Sequence, residues 1–327
     1  QAQALQARAL AAQAGDDALR LNAVRLLADA LTRQGDPVAG QALARDGLAE
    51  ARRLGLQDIE SRFLNVLGVI AARGNDLVAM LQYSQQATEL RRALGDRRNE
   101  AIGLATLGSS WLELGQLDRA RTALDRALLL QRAVGDRGLE PLTLANLSQL
   151  ALWQDDTTSA SQQAEAALAL ARQVQASELE AIAAWCLGHA QLQAGQRDEA
   201  RRAFELALRI AEAGDSPIRF DAMAGLGRVA WLSGDMAGGL QVLQPVLADG
   251  AADAALAGTL ALRLVQWTAY EVLHTAGDAR ARPLLQAAHQ GLTDYAQALS
   301  DAALRASFLA EVPVNAAIVR AWASSAV

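Results

Sequence analysis

The dipeptide Gly-Asp stands at 15–16, 35–36, 95–96, 135–136, 214–215, 234–235 and 277–278 of this 327-residue chain. One glycine series, Gly15, Gly55, Gly95, Gly135 and Gly214, runs at intervals of 40, 40, 40 and 79, with Gln175 where a member is missing. A second series, Gly35, Gly74, Gly115, Gly195 and Gly234, falls about halfway between, with Gln154 in its gap. Two interleaved loops per period predict two helices per repeat, and self-similarity at this period marks a helical solenoid. The dipeptide has a physical reading. Glycine accepts the left-handed conformation that closes a helix, and aspartate beside it accepts hydrogen bonds from the free N–H groups that open the next. At 35–37 Pro37 follows Asp36 at the first helical position, where a missing N–H costs nothing.

Alignment on the first helix of each unit superposes Leu27, Leu67, Leu107, Leu147, Leu187 and Leu226. The next residue is small each time: Ala28, Gly68, Gly108, Ser148, Gly188 and Gly227. Twelve residues on stand Gly40, Met80, Ala120, Ala160, Ala200 and Gly239, and seven further Gly47, Ala87, Ala127, Ala167, Ala207 and Val246. A leucine beside a small residue lets neighbouring helices approach closely while the leucine fills the space between them. Apolar residues make up 52% of the chain and aromatics 4%, a profile suited to tightly packed helices.

The run Leu107-Gly108, Trp111, Gly115, Ala120, Leu124, Ala127 resembles the tetratricopeptide repeat, and Leu187-Gly188, Gly195, Ala200, Phe204, Ala207 does so nearly as well. The departure is length: the usual unit is about 34 residues, and the excess lies in the second helix and its exit loop. Longer repeats of this kind resemble those of kinesin light chain and of the effector-binding domain of the bacterial maltose-regulon activator. The expectation is an all-α, right-handed α-solenoid of antiparallel helix pairs with about seven repeats, spanning 15–298 as one domain. Residues 1–14 read as the second helix of a truncated repeat, which implies a solenoid continuing upstream. Residues 299–327 read as capping helices, with Phe308, Leu309, Val319 and Trp322 covering the face of the last repeat. The string Arg305-Ala306-Ser307-Phe308-Leu309 followed by Val312-Pro313-Val314-Asn315 is similar to the tail of large bacterial signalling ATPases. That resemblance implies a C-terminal repeat domain of such an ATPase, a cyclase or a transcriptional regulator, with the chemistry in an upstream domain.

Several function classes are disfavoured by composition. All 30 basic residues are arginine, which removes Schiff-base lysines and the lysine of a phosphate-binding P-loop, and suggests a GC-rich bacterial coding sequence. A net charge of −6 offers no general nucleic-acid footprint. No run of about 18 apolar residues predicts a membrane span. The lone Cys186 forms no internal disulfide and no paired-cysteine zinc site, and a cytoplasmic location fits. Cys186 and His189 lie three apart on a helix, but two ligands do not make a metal site. No carboxylate pair suggests acid/base work, so neither catalytic residues nor cofactors are expected. The Arg-Arg pairs at 52–53, 91–92, 97–98 and 201–202 read as solvated faces.

In such a solenoid the first helices line a concave groove, and positions −3, +1 and +4 from the small residue point into it. These give Arg25, Asp29 and Thr32; Asn65, Val69 and Ala72; Ala105, Ser109 and Leu112; Ala145, Gln149 and Leu152; Trp185, His189 and Leu192; Ala224, Arg228 and Trp231. In the blurred last unit Gln266, Tyr270 and His274 take these places. Trp185, His189, Arg228, Trp231 and Tyr270 are expected to share one pocket, with packing between helices as the alternative reading of each tryptophan. Trp111 is read as structural. The expected partner is a protein or peptide segment in the groove. Alternatives are a small-molecule effector in the aromatic pocket, or self-association through the truncated N-terminal edge.

Overall fold

The computed structural model describes residues 16–74, 76–247, 256 and 258–325. The expected helix over 1–14, and the edge proposed to self-associate, lie outside the described residues. Those described form sixteen helices and no strand. They are α1 (Asp17–Arg33), α2 (Pro37–Arg53), α3 (Gln57–Arg73), α4 (Leu77–Ala93), α5 (Arg97–Glu113), α6 (Leu117–Ala133), α7 (Glu140–Trp153) and α8 (Thr157–Gln173). There follow α9 (Ser177–Gln193), α10 (Arg197–Ala213), α11 (Ile218–Leu232), α12 (Met236–Leu247), α13 (Leu262–Thr275), α14 (Ala281–Ala298), α15 (Ala302–Ala310) and α16 (Pro313–Ser325). The chain is an α-solenoid of packed helix pairs and divides into two compact units.

The loop chemistry follows the Gly-Asp reading and corrects it in three places, the first being Gly74, which ends α3 at φ −81°. Asp16, Asp36, Asp76, Asp96, Asp156 and Asp235 each accept from the backbone N–H three residues on, at 2.8–3.2 Å. Gly55, Gly95 and Gly135 are left-handed, but at 214–215 Gly214 ends the helix at φ −96° and Asp215 takes the left-handed place at φ 48°. In the other series Asp155, not Gln154, is left-handed at φ 59°. Aspartate tolerates this conformation better than most residues. The left-handed residues at 55, 95, 135, 175 and 215 therefore keep a constant interval of 40, which the glycines alone do not.

Unit 1 holds the described residues up to Ser110, with 298–301. Within it α1 packs on α2 and α3, and α3 on α4, around Leu21, Val24, Ala28, Leu48, Phe63, Leu64, Leu67 and Ile70. The Phe63 ring lies flat against Gly47, where a Cβ would stand 2.3 Å from the ring.

Unit 2 runs from Trp111 to Gln297 and from Ala302 onward. Its first helices α7, α9, α11 and α13 form one layer and the second helices α8, α10 and α12 the other. Phe204 of α10 is fully buried with its ring between Gly188 of α9 and Gly225 of α11; a Cβ on either glycine would lie 2.5–2.6 Å from it. Gly227 faces Leu243 in the same way, so the small residue of each pair meets the residue sixteen further on. The pairs are also joined by ion pairs eight residues apart, Arg132–Glu140 and Arg172–Glu180, at 2.7 and 2.8 Å. One repeat later the positions hold Glu212 and Phe220.

The C-terminal residues do more than cover the last repeat. Phe308 is buried and stacks on Tyr295 at 4.8 Å, and Trp322 stacks on His289 of α14 at 5.0 Å, whereas Leu309 is half-buried and Val319 exposed. Tyr295 donates to Glu113 at 2.8 Å, and the Ser307 carbonyl lies against Gly115, so α14 and α15 reach the beginning of the unit. Among the described residues no single helix is long and apolar enough to cross a membrane; α15 and α16 pass on length and composition only as a pair bent by 80°.

Candidate functional site

Unit 2 carries a cavity of about 460 Å³. Its walls come from the same face of three successive first helices: Gln149 and Leu152 of α7, Trp185, His189 and Leu192 of α9, and Arg228 of α11. Leu264 of α13 and Pro313 of α16 complete it. Of the −3, +1 and +4 positions, the last two of α7, all three of α9 and the middle one of α11 meet here, while Ala145 is core. Trp185 is 5% exposed and meets His189 edge-on at 4.6 Å, and His189 meets Phe204 edge-on at 4.9 Å. The two readings of Trp185, packing and wall, hold together: one edge is core and another lines the cavity.

The last two units depart from expectation. Trp231 does not line the cavity but packs with Leu243, Val246, Val265 and Val272, while its neighbour Leu232 faces the space. Tyr270 joins that same cluster, stacked on His274 at 5.3 Å. His274 is exposed and Gln266 buried. The position five after the small residue lines the cavity in all three first helices, as Trp153, Gln193 and Leu232, whereas Trp231 and Tyr270 turn into the core beside α13. Sequence reading missed Trp153, Asp155, Gln193, Leu232, Leu264 and Pro313. Of these, Asp155 and Gln193 could be found from the loop register, since each sits at a helix end in the 40-residue frame.

The electrostatics are uneven. Arg228 is half-buried with Nη2 3.9 Å from the Glu271 carboxylate, whose pKa is raised by burial against the lowering effect of Arg228. Burial, with Arg228 nearby, pushes His189 down to about 3, so the ring is neutral at pH 7. Its Nε2 is enclosed without a hydrogen-bond partner. Burial pushes the Cys186 thiol up to about 12, which makes it an unreactive wall group. At the rim Gln193 donates to Asp155 at 3.0 Å. Among the described residues no group of three or more His, Cys, Asp or Glu is arranged to hold a metal ion.

The other groove candidates lie in unit 1. Arg25 and Asn65 line a separate cavity of about 400 Å³ with Asp29, Asp58, Arg62 and Arg91. Arg91 had been expected on a solvated face; it is 7% exposed, because α4 turns it inward. Asn65 is exposed at the rim, and Thr32 is buried, donating to the Ala28 carbonyl.

Paired helices, small residues under each neighbour's side chain and a first-helix face that gathers into a cavity define a tetratricopeptide-like repeat protein. The tetratricopeptide repeat family model matches residues 186–213, the second half of α9 through α10. No curated protein matches the chain by sequence. Among solved structures it is similar to BtubC (BKLC) from P. vanneervenii, with 20% identity and a TM-score of 0.58 over 65% of this chain and 88% of that one. It is similar to a Rap protein complexed with competence and sporulation factor, with 14% identity and a TM-score of 0.57 over 92% and 95%. It is also similar to a signal transduction ATPase with numerous domains and a tetratricopeptide repeat sensor from Pyrococcus horikoshii, with 15% identity and a TM-score of 0.57 over 83% of this chain and 42% of that one.

Proposed function

We propose that this chain is the peptide-binding regulatory domain of a bacterial signalling protein, holding an extended segment along the first helices of unit 2. The observation that carries the reading is the Trp185–His189–Arg228 cavity. It offers an aromatic wall and a guanidinium with one loose partner. A peptide side chain with an apolar stem and an anionic end fits both. Buried aromatic and arginine anchors of this kind typically cost about 2 kcal/mol or more when truncated. The similarity to a Rap protein solved with a signalling factor and to an ATPase with a repeat sensor supports the reading.

The test is selection of a random peptide display library on the whole chain, then affinity measurement by fluorescence anisotropy on wild type and Trp185→Ala/Arg228→Ala. Selected peptides are expected to lose about thirtyfold or more; unchanged affinity in a folded double variant defeats the assignment. A second reading, a small-molecule effector, is favoured by the size of the cavity, which lies within the roughly 300–1,000 Å³ of ligand pockets. It predicts that a metabolite raises the melting temperature while no peptide is selected.

A further inference from the structure

The cavity of unit 1 has a different chemistry, which the peptide reading of unit 2 does not use. Four arginines and three aspartates line it. Two aspartates are already committed to ion pairs, Asp29 to Arg33 at 2.9 Å and Asp58 to Arg62 at 3.1 Å. Asp96 caps α5, accepting from the Asn99 backbone N–H at 3.2 Å and its side-chain Nδ2 at 2.7 Å. Ser61 is spent on the Asp58 carbonyl at 2.8 Å. Arg25 and Arg91 remain. The Nε of Arg25 is buried without a hydrogen-bond partner, and Arg91 reaches the Asn99 carbonyl at a long 3.4 Å.

We propose that this cavity binds a phosphoryl dianion between the guanidinium groups of Arg25 and Arg91, with Arg62 as a flanking donor. Donor number decides the ligand class. Arg25 and Arg91 make no direct ion pair with the aspartates of the lining, and two guanidinium forks offer more donors than one carboxylate can take up, whereas a phosphoryl group presents three oxygens and two charges. Buried cations are stable only when paired. Burial is the largest influence on both Arg25 and Arg91 and lowers their proton affinity; Arg62 lowers each further by repulsion, while Asp29 acts the other way on Arg25 and Asp96 and Asp58 on Arg91. A bound dianion relieves both effects. The planar fork of each guanidinium suits it to phosphate oxygens. The free ion and a phosphorylated side chain present the same group.

The test is calorimetric titration of the whole chain with inorganic phosphate, a phosphoserine peptide and acetate at matched ionic strength. Phosphate is expected to bind more tightly at pH 8 than at pH 5.5, as its second proton leaves near pH 6–7, about the range of other phosphoryl groups. Arg25→Gln should weaken it about tenfold or more. Arg25→Lys, which retains the charge and loses the fork, should fall between, and replaces Gln should that variant misfold. Peptide binding tighter than free phosphate identifies a phosphorylated segment as the natural ligand; equal binding identifies a free phosphate compound. No phosphate heat, acetate binding as tightly as phosphate, or affinity unchanged by both substitutions overturns the proposal.

Discussion

The two cavities are built at comparable places on the same repeat, yet one is walled by arginine and aspartate and the other by tryptophan, leucine and a neutral histidine. The scaffold is common to both. Small residues under a neighbour's ring or leucine set the helix spacing, and the exposed face of each first helix is free to vary. Architecture and recognition are therefore written in different residues of one helix, which is why a repeat can keep its fold while its ligand changes.

The comparison is broken most severely by removing what holds the second cavity in shape. Phe204→Ala leaves a void between Gly188 and Gly225 and should cost about 3–5 kcal/mol by urea denaturation. A loss under about 1 kcal/mol would show that the ring is not the spacer it is taken to be.

Unit 2 also carries two buried titratable groups with opposed effects. His189 has its folded pKa lowered from 6.5 to about 3, so the unfolded chain holds the extra proton and stability falls as pH drops through that window. Asp221 accepts the Leu260 and Ala261 N–H groups at 2.9 Å, fixing the turn that leads into α13, and burial raises it from 3.8 to about 6. There the folded chain holds the extra proton, so stability falls as pH rises from 3.8 to about 6. In full the effects are on the order of 5 kcal/mol for His189 and about 3 kcal/mol for Asp221, and in the wild type they largely cancel between pH 4 and 6, a window set by the two values. His189→Gln should expose the falling slope and Asp221→Asn the rising one, read as chemical-denaturation midpoints across pH. Parallel slopes in the two variants would contradict the assignment.

Gly188→Ala should cost about 1–3 kcal/mol by overpacking against Phe204. At the small end, Arg202→Ala removes a pair with Glu199 in which both side chains are largely exposed and should cost under about 1 kcal/mol. Salt sharpens the contrast between the cavities. Phosphate binding in unit 1 should weaken markedly between roughly 50 and 500 mM salt, and peptide binding in unit 2 much less.

Much of the fold is legible in the sequence because loops repeat a backbone requirement. A left-handed residue recurs every 40 residues, whichever side chain supplies it, while side-chain caps form only where that loop carries an aspartate. Reading glycine as the marker, instead of the conformation glycine serves, misplaces the turns at 155 and 215. The site is legible where the period is regular, as at Gln149, Trp185 and His189. It fails at Trp231, which packs into the core beside Val265 and Val272, and at Tyr270, because no Gly-Asp loop announces α13. Arg91 escaped because charge in sequence does not reveal which way a helix is rolled. Pro313 escaped because nothing local says that a C-terminal helix turns back to the cavity.

Phe204 touches both glycines at its flanks and the back of His189. The gap between α9 and α11 is thus the thickness of one aromatic ring, and the wall of the cavity rests on that same ring. An occupant that presses on the imidazole loads a rigid shim shared by three helices, and the force passes into the helix stack because glycine leaves no side chain to absorb it.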